Sequence, residues 1–324
     1  MAHHTAELPH SFPARHVVVT LLIFVGVTAI FGMQFKSLSA SLAAVQHADM
    51  ASVAAALGLL AGSYVAAALS YLSLAGKRLS FGPTLVVQIA SGLVNRIIPA
   101  GLGSVGLYAA YLHKQGYSAA AASAVVATNN LVGIIGNLLL IGLVLLIFPD
   151  YLGHVHVPPV SMSVLYGFMV AVLVLLLCYP LISRARSADG SSTYRRGLLF
   201  LRSAVRALRS SFRPNRATAG SLATNIVLTC LTAAVLCLSV LAVGGTLSWP
   251  AAVMVLSLGT LVGAAVPTPG GIGGVEAGLL AGLLAFGAAS SYALAGVLLY
   301  RLLTYWLPII PGSIAFRFVM RHYV

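Results

Sequence analysis

The chain carries apolar runs long enough to cross a lipid bilayer, where backbone polar groups must find partners within the protein. A transmembrane helix needs about 20 apolar residues to cross a ~30 Å hydrocarbon core. Runs of about that length or more lie at 16–34, 50–75, 118–148, 160–183, 220–243 and 289–316. Only 7% of the residues are charged, against about 25% in soluble domains. The sequence predicts an all-α polytopic integral membrane protein, with residues 1–324 forming a single membrane domain.

Lysine and arginine are distributed asymmetrically around these runs. If the N-terminus is cytoplasmic, the basic residues outside the spans fall on the cytoplasmic side, except for Lys36. The residues on that side are Arg15, Lys77, Arg78, Lys114, nine arginines between 184 and 216, Arg317 and Arg321. Because cytoplasmic loops of membrane proteins are enriched in basic residues, the net charge of +13 is explained by topology. We therefore expect both termini to be cytoplasmic and no nucleic acid partner.

The basic cytoplasmic loop at 184–218 has an amphipathic pattern of its own. Apolar residues recur at helical spacing, and arginines follow one position later on the adjacent face. The apolar set is Leu198, Leu201, Val205, Leu208 and Phe212, and the basic set is Arg202, Arg206, Arg209 and Arg213. Such a helix can lie in the membrane interface with arginines at anionic headgroups. A solvated loop explains the pattern equally well, and the loop could also dock a cytoplasmic enzyme.

Two further apolar regions, 81–116 and 249–287, are each interrupted by a cluster of proline and glycine. The second interruption reads "PTPGGIGGVE" and contains a carboxylate. The residues that break the helices are Pro99, Pro267, Pro269 and Gly270. Broken backbone at membrane depth must be buried in protein or line a watery cavity. We expect re-entrant hairpins here, although two complete spans in each region would give the same topology.

The two interruptions belong to an internal repeat. "PAGLGSVG" from Pro99 and "PGGIGGVE" from Pro269 share a proline, two glycines and a valine at a constant offset of 170 residues. The repeats cover approximately 49–148 and 220–316, and an odd number of crossings between them makes their predicted topologies inverted. Inverted repeats with broken helices at corresponding positions are typical of transporters whose site lies near the midplane.

Charged residues are rare inside the predicted membrane region. Arg96 lies near the first interruption, Glu276 follows the second, and Arg301 lies near mid-membrane. Two arginines and two restarting helix N-termini would bind a lipid phosphate well. The predicted substrate-binding residues are Arg96, Arg301, Glu276, Asn95, Asn130, Gly101, Gly103, Gly271 and Gly273. Alternatively, Glu276 pairs with either arginine and holds the repeats together, and the asparagines hydrogen-bond between helices.

No pattern in the chain predicts a metal ion or a cofactor. Cys178, Cys230 and Cys237 lie inside predicted spans without metal-ligand spacing. The histidines at 154 and 156 lack a neighbouring carboxylate or cysteine cluster of the kind that zinc requires.

Three motifs together resemble a known family. They are "NRIIPAGLGS", "PTPGGIGGVEAGL" and "LLYRLLTYWLPIIPG". The chain resembles the transmembrane family of lysylphosphatidylglycerol synthase and flippase proteins over most of its length. The resemblance implies a bacterial plasma membrane protein that handles anionic lipids. It implies functional roles for Arg96, Pro99, Gly101, Gly103, Pro267, Pro269, Gly270, Gly271, Gly273, Glu276 and Arg301. Because the chain ends eight residues after Phe316, we expect a stand-alone member without the aminoacyl-transferase domain.

The expected function is that of a lipid transporter or flippase. It would bind an anionic lipid phosphate, of a phospholipid or a polyprenyl-phosphate-linked lipid, near mid-membrane and move the headgroup between leaflets. One alternative is a membrane-embedded lipid-modifying enzyme, although no catalytic constellation is evident. The other is a non-transporting membrane partner of a cytoplasmic enzyme. The sequence leaves the lipid and a homo-oligomeric state open.

Overall fold

The described part of the chain is entirely helical in its regular structure. The computed structural model describes Gln46 and residues 48–75, 79–98, 102–154, 216–266 and 268–324. Helices long and apolar enough to cross a membrane are Met50–Ala75, Ala119–Ile147, Arg216–Ala242 and Ser290–His322. The prediction of an all-α polytopic membrane protein is therefore confirmed. The predicted runs 16–34 and 160–183, and nearly all of the basic loop at 184–218, lie outside the described residues.

The described helices follow the interrupted pattern of the sequence. In chain order they are α1 (Met50–Ala75), α2 (Phe81–Ile97), α3 (Leu102–Lys114), α4 (Ala119–Ile147), α5 (Arg216–Ala242), α6 (Trp249–Ala265), α7 (Gly274–Ala285), α8 (Ser290–Arg301) and α9 (Ile309–His322). Short 3-10 turns cover Pro149–His154 and Pro269–Gly271, and a π turn covers Leu302–Trp306. The last predicted span thus contains a π turn between α8 and α9, a feature often found at functional sites.

The helices beside each Pro/Gly cluster are short. α2 has 17 residues and α3 has 13, and their counterparts α6 and α7 have 17 and 12. At 1.5 Å per residue these helices are only about 18 to 26 Å long, less than the ~30 Å core. α2 and α3 run antiparallel, because the Tyr108 hydroxyl donates to Gln88 Oε1 at 2.6 Å and the Ser104 amide donates to Asn95 Oδ1 at 2.8 Å. These lengths suit the predicted re-entrant hairpins.

α1 and α5, which open the two predicted repeats, pack against each other in opposite directions. The amide of Asp49, before α1, donates to the carbonyl oxygen of Ala242 at the end of α5 at 2.8 Å. Near the other ends of the two helices, the hydroxyls of Ser70 and Ser221 lie 2.7 Å apart. Asn225 Nδ2 donates to Ser70 Oγ at 2.6 Å. Such hydrogen bonds between helices stabilise packing where the hydrophobic effect is weak.

Close packing of α6 on α7 depends on glycine. A Cβ added at Gly278 would lie 2.9 Å from the Cα of Gly259 and 2.9 Å from the Cβ of Val262. Backbone atoms cannot move aside as a flexible side chain can. The hairpin therefore holds its two helices at a distance that only a residue without a side chain permits.

We expect Gly278→Ala to destabilise the folded protein by about 1 to 3 kcal/mol, because the added methyl overpacks the contact between α6 and α7. The measurement is the free energy of unfolding in detergent micelles. Gly142→Ala is the matched control, since a Cβ there would meet nothing within 4 Å on the exposed side of α4. Equal stability of the two variants would contradict the prediction.

Candidate functional site

The tips of the two hairpins meet the π turn. α2 carries Arg96 in its last turn and packs against the 3-10 turn Pro269–Gly271. Arg96 Nε also donates to the carbonyl oxygen of Tyr305, inside the π turn, at 2.7 Å. The candidate site therefore draws on residues from both predicted repeats.

The second tip has a backbone that glycine alone adopts readily. Gly270, Gly271 and Gly273 have φ angles of 62°, 68° and 84°, in the left-handed region that side chains disfavour. The hydroxyl of Thr268 donates to the carbonyl oxygen of Ile272 at 2.8 Å and closes this turn. A Cβ at Gly270 would lie 2.2 Å from Cε2 of Tyr305. Glycine at position 270 is therefore required both by the turn and by the aromatic ring beside it.

Glu276 makes two contacts at the start of α7. Its Oε2 accepts a hydrogen bond from the amide of Gly273 at 2.8 Å, which satisfies one N–H group of the helix N-terminus. Its Oε1 accepts from Arg301 Nε at 2.7 Å, and the two side chains are 17% and 7% exposed. Arg301 Nη2 also donates to the carbonyl oxygen of Gly270 at 3.3 Å. The ion pair therefore fastens the second tip to α8, and both partners belong to the same repeat.

One prediction from the sequence is that Glu276 holds the two repeats together. In the structure Arg96 makes a link between the repeats. Besides Tyr305, its guanidinium donates to the carbonyl oxygen of Thr304 at 2.7 Å and to that of Gly92. In an uninterrupted α-helix the Thr304 carbonyl would meet the amide of residue 308, but Pro308 has no N–H group. The broken last span thus presents carbonyl oxygens, and an arginine from the first hairpin binds them.

Tyr305 lies close to both arginines. The centre of its ring is 4.4 Å from Arg301 Cζ and 5.5 Å from Arg96 Cζ, and the residue is 5% exposed. Both distances are within the range of cation–π attraction. Sequence reasoning gave Tyr305 no role, although its position four residues after Arg301 was a usable signal, because residues at that spacing share a helix face.

The cluster has an excess of positive charge. Arg96 and Arg301 contribute two cations, and Glu276 is the one acid in contact with them among the described residues. In this conformation the guanidinium groups donate to carbonyl oxygens and to the carboxylate. An anion that binds both guanidinium forks would replace some of these acceptors. Phosphate oxygens suit that exchange, because the guanidinium fork matches their geometry.

Asn95 and Gly103 serve the first hairpin. Asn95 Oδ1 accepts from the amide of Ser104, in the first turn of α3. A Cβ at Gly103 would lie 2.6 Å from Cγ1 and 2.8 Å from the carbonyl oxygen of Val94. Both residues hold α2 and α3 together, and the alternative of hydrogen bonding between helices describes Asn95 best.

Other predicted site residues lie elsewhere or cannot be located. Asn130 is exposed on α4 and makes no side-chain hydrogen bond to the described residues. A Cβ at Gly271 would lie 2.8 Å from Cγ2 of Val275, so this glycine packs inside the tip. Pro99, Gly101 and Pro267 lie outside the described residues.

Metal-binding side chains do not gather in the part of the chain that the structure describes. No group of three His, Cys, Asp or Glu side chains there could hold a metal ion. Cys230 and Cys237, both on α5, are free thiols.

Most of the chain matches the model of a known family. Residues 17–312 match the family model described as "Lysylphosphatidylglycerol synthase TM region". The match covers the candidate site and most of the chain. No curated protein is significantly similar to the chain.

Proposed function

The chain belongs to the lysylphosphatidylglycerol synthase transmembrane family, a membrane family with a lipid-related function, and on this premise we propose that it is a lipid transporter of the flippase type. It binds the phosphate of an anionic lipid, of a phospholipid or a polyprenyl-phosphate-linked lipid, near mid-membrane. The headgroup then passes between the leaflets while the chain of the lipid remains in the bilayer.

One observation carries the proposal: Arg96 and Arg301 converge on Tyr305 where the last span is broken. Charges at membrane depth are costly and normally serve a function. A purely structural ion pair needs one cation for one anion, whereas this cluster has two arginines and one glutamate. The remaining positive charge favours an anionic ligand.

Binding would proceed by exchange of acceptors. Phosphate oxygens replace the Thr304 and Tyr305 carbonyls at Arg96, and they replace Glu276 at Arg301. Glu276 therefore competes with the lipid for Arg301. It keeps its second contact, with the amide of Gly273, while the ion pair is open.

Inverted repeats at 49–148 and 220–316 would provide the alternation between leaflets. The antiparallel packing of α1 on α5 supports opposite orientations of the repeats. The short hairpin helices support re-entrant segments whose tips meet in the interior. Arg96 holds the first tip to the last span, so its release would let one repeat move against the other. We further propose a bacterial plasma membrane location with both termini cytoplasmic.

The experiment is mass spectrometry of the lipids that remain bound after gentle purification. We expect wild-type protein to be enriched in one anionic lipid, and we expect Arg96→Ala and Arg301→Lys to lose most of this enrichment. Lysine at 301 preserves the charge next to Glu276 but lacks the planar fork that binds phosphate. It therefore tests binding without leaving the carboxylate unpaired.

Arg317→Ala is the matched control, because Arg317 is an exposed arginine of α9 outside the cluster. It should retain the same lipid as the wild type. If both cluster variants also retain it while staying folded, the arginines are structural and the proposal fails. Lipid chemically altered by purified protein would instead favour the lipid-modifying enzyme. A function lost on cutting the loop at 184–218, yet intact in Arg96→Ala, would favour the partner of a cytoplasmic enzyme.

A further inference from the structure

A cavity of about 530 Å³ lies where the turn after α4, the loop before α6 and the loop before α8 meet. The hydroxyls of Tyr151 and Ser248 lie 3.0 Å apart and join the first two of these segments. The ring of Tyr151 also packs edge-to-face on that of Phe286, with 5.0 Å between the ring centres. The volume falls within the range of small-molecule sites, about 300 to 1,000 Å³.

The cavity is separate from the arginine cluster. Tyr292, which lines it, lies nine residues before Arg301 on α8, or about 14 Å along the helix axis at 1.5 Å per residue. The arginine cluster lies at the tip of the second hairpin, whereas the cavity lies at the hairpin's open end. A ligand in the cavity would therefore be recognised by other side chains than those that bind the phosphate.

The cavity and the open end of the first hairpin lie at opposite ends of α4, a helix of 29 residues. Just before α4, the Tyr117 hydroxyl donates to the carbonyl oxygen of Ala75 at the end of α1. At that same end, Tyr323 near the C-terminus packs against Tyr111 of α3, with ring centres 6.1 Å apart. Tyr151 instead follows the last turn of α4. With the cytoplasmic C-terminus proposed above, the cavity lies at the non-cytoplasmic face.

The lining combines aromatic rings with hydroxyl groups. Rings come from Tyr151, Phe286 and Tyr292, and further hydroxyls come from Thr246 and Ser248. The described residues that line the cavity include no charged side chain, so an ion leaving water would find no counter-charge among them. A sugar ring suits both parts of this lining. Its C–H groups can lie against the negative faces of aromatic rings, and its hydroxyls both donate and accept hydrogen bonds.

Two of the lining hydroxyls are available to a ligand. Those of Thr246 and Tyr292 make no hydrogen bond to the described residues. The Tyr292 ring packs directly on the backbone of Gly245, where an added Cβ would lie 2.3 Å from Cδ2 of the ring. Ser248, in contrast, caps α6 by accepting from the amide of Ala251 at 3.4 Å. A ligand can therefore engage Thr246 and Tyr292 without breaking a described hydrogen bond of the protein.

We propose that this cavity binds a neutral sugar, either free or as the uncharged headgroup of a glycolipid. The hydroxyls of Thr246 and Tyr292 hydrogen-bond with hydroxyls of the sugar, and the rings of Tyr151 and Phe286 pack against its C–H groups. The site goes beyond the proposed function, because it recognises an uncharged group and uses neither arginine of the cluster.

The test uses the protein in phosphatidylcholine nanodiscs, because detergents with sugar headgroups would compete for the cavity. One arm measures binding of the methyl glycosides of glucose, galactose and mannose by saturation-transfer difference NMR. The other arm measures binding of monoglucosyl and monogalactosyl diacylglycerol by native mass spectrometry, with diacylglycerol as the sugar-free lipid. We expect at least one sugar to bind, and diacylglycerol not to bind. Binding of the methyl glycoside identifies the free sugar as sufficient, and binding of the glycolipid alone identifies a lipid headgroup.

Tyr292→Phe and Thr246→Val each remove one hydroxyl and keep the shape of the side chain. Each should weaken sugar binding about fivefold, the scale of one hydrogen bond between neutral groups. Tyr64→Phe is the matched control, because it removes another hydroxyl that makes no hydrogen bond to the described residues and Tyr64 does not line the cavity. The control should bind sugar like the wild type, and all three variants should keep their thermal stability.

The outcomes separate this inference from the proposed function. If no methyl glycoside or glycolipid binds, or if Tyr292→Phe and Thr246→Val bind sugar as well as Tyr64→Phe does, the sugar site is wrong and the arginine site is unaffected. Displacement of the sugar by tetramethylammonium would assign the aromatic lining to an organic cation instead. If sugar binds as expected while Arg96→Ala and Arg301→Lys retain the anionic lipid, the sugar site stands and the phosphate site fails.

Discussion

Replacing Glu276 with glutamine is expected to destabilise the folded protein by about 3 kcal/mol and, in the molecules that remain folded, to tighten binding of the anionic lipid. The substitution keeps the shape of the side chain but leaves Arg301 with an uncompensated charge in a buried position. Removing one partner of a buried ion pair usually costs more than the pair contributes, because the other charge stays buried. The affinity for the lipid would rise because the carboxylate that competes with it for Arg301 is gone.

The measurements are the free energy of unfolding in detergent micelles and the amount of anionic lipid that copurifies. Arg301→Gln and the double variant Glu276→Gln/Arg301→Gln complete a thermodynamic cycle. Because the two residues are in contact, the double variant should be less destabilised than the sum of the singles, by about 1 to 3 kcal/mol. Additive effects would show that the 2.7 Å contact contributes little. Weaker lipid binding by Glu276→Gln would contradict the proposal that Glu276 competes with the lipid phosphate for Arg301.

A substitution of Gly270 should have the second large effect. We expect Gly270→Ala to destabilise the protein by about 2 to 4 kcal/mol and to abolish specific lipid retention. The left-handed φ of 62° costs a residue with a Cβ about 1 to 2 kcal/mol. The methyl group would also lie 2.2 Å from Cε2 of Tyr305, so the ring that lies near both arginines would have to move.

Gly287→Ala is the control that measures the cost of the left-handed φ without the clash. Gly287 has a φ of 83°, but a Cβ there would meet nothing within 4 Å. It should therefore cost only the conformational penalty and leave lipid retention intact. In a Tyr305→Ala background the clash with the ring is absent. Gly270→Ala should therefore destabilise the Tyr305→Ala protein less than it destabilises the wild type. If Gly270→Ala behaves like Gly287→Ala in both the stability and the lipid-retention assay, the position of the Tyr305 ring does not require a glycine at 270.

Much of the candidate site could be named from the sequence because charge inside a membrane is rare. Arg96, Arg301 and Glu276 stand out in apolar surroundings, and the Pro/Gly clusters mark the tips that surround them. Asn130 was included because it is polar at membrane depth, yet it is exposed on α4 away from any described hydrogen-bond partner. Polarity indicates that a side chain needs a partner, but it does not indicate which helix face the partner occupies.

The spans and their breaks were determined by the sequence itself, because a bilayer requires long apolar helices and tolerates proline and glycine only where protein or water satisfies the backbone. The run predicted at 50–75 is the helix Met50–Ala75, and that at 118–148 is Ala119–Ile147. Tertiary structure alone decided the pairing of the charges. Arg301, 25 residues from Glu276, binds it, whereas Arg96 binds carbonyl oxygens more than 200 residues away. Pro308 leaves the Thr304 carbonyl without its helical partner, which the sequence shows, but nothing in the apolar run indicates that an arginine of the first hairpin packs against that oxygen.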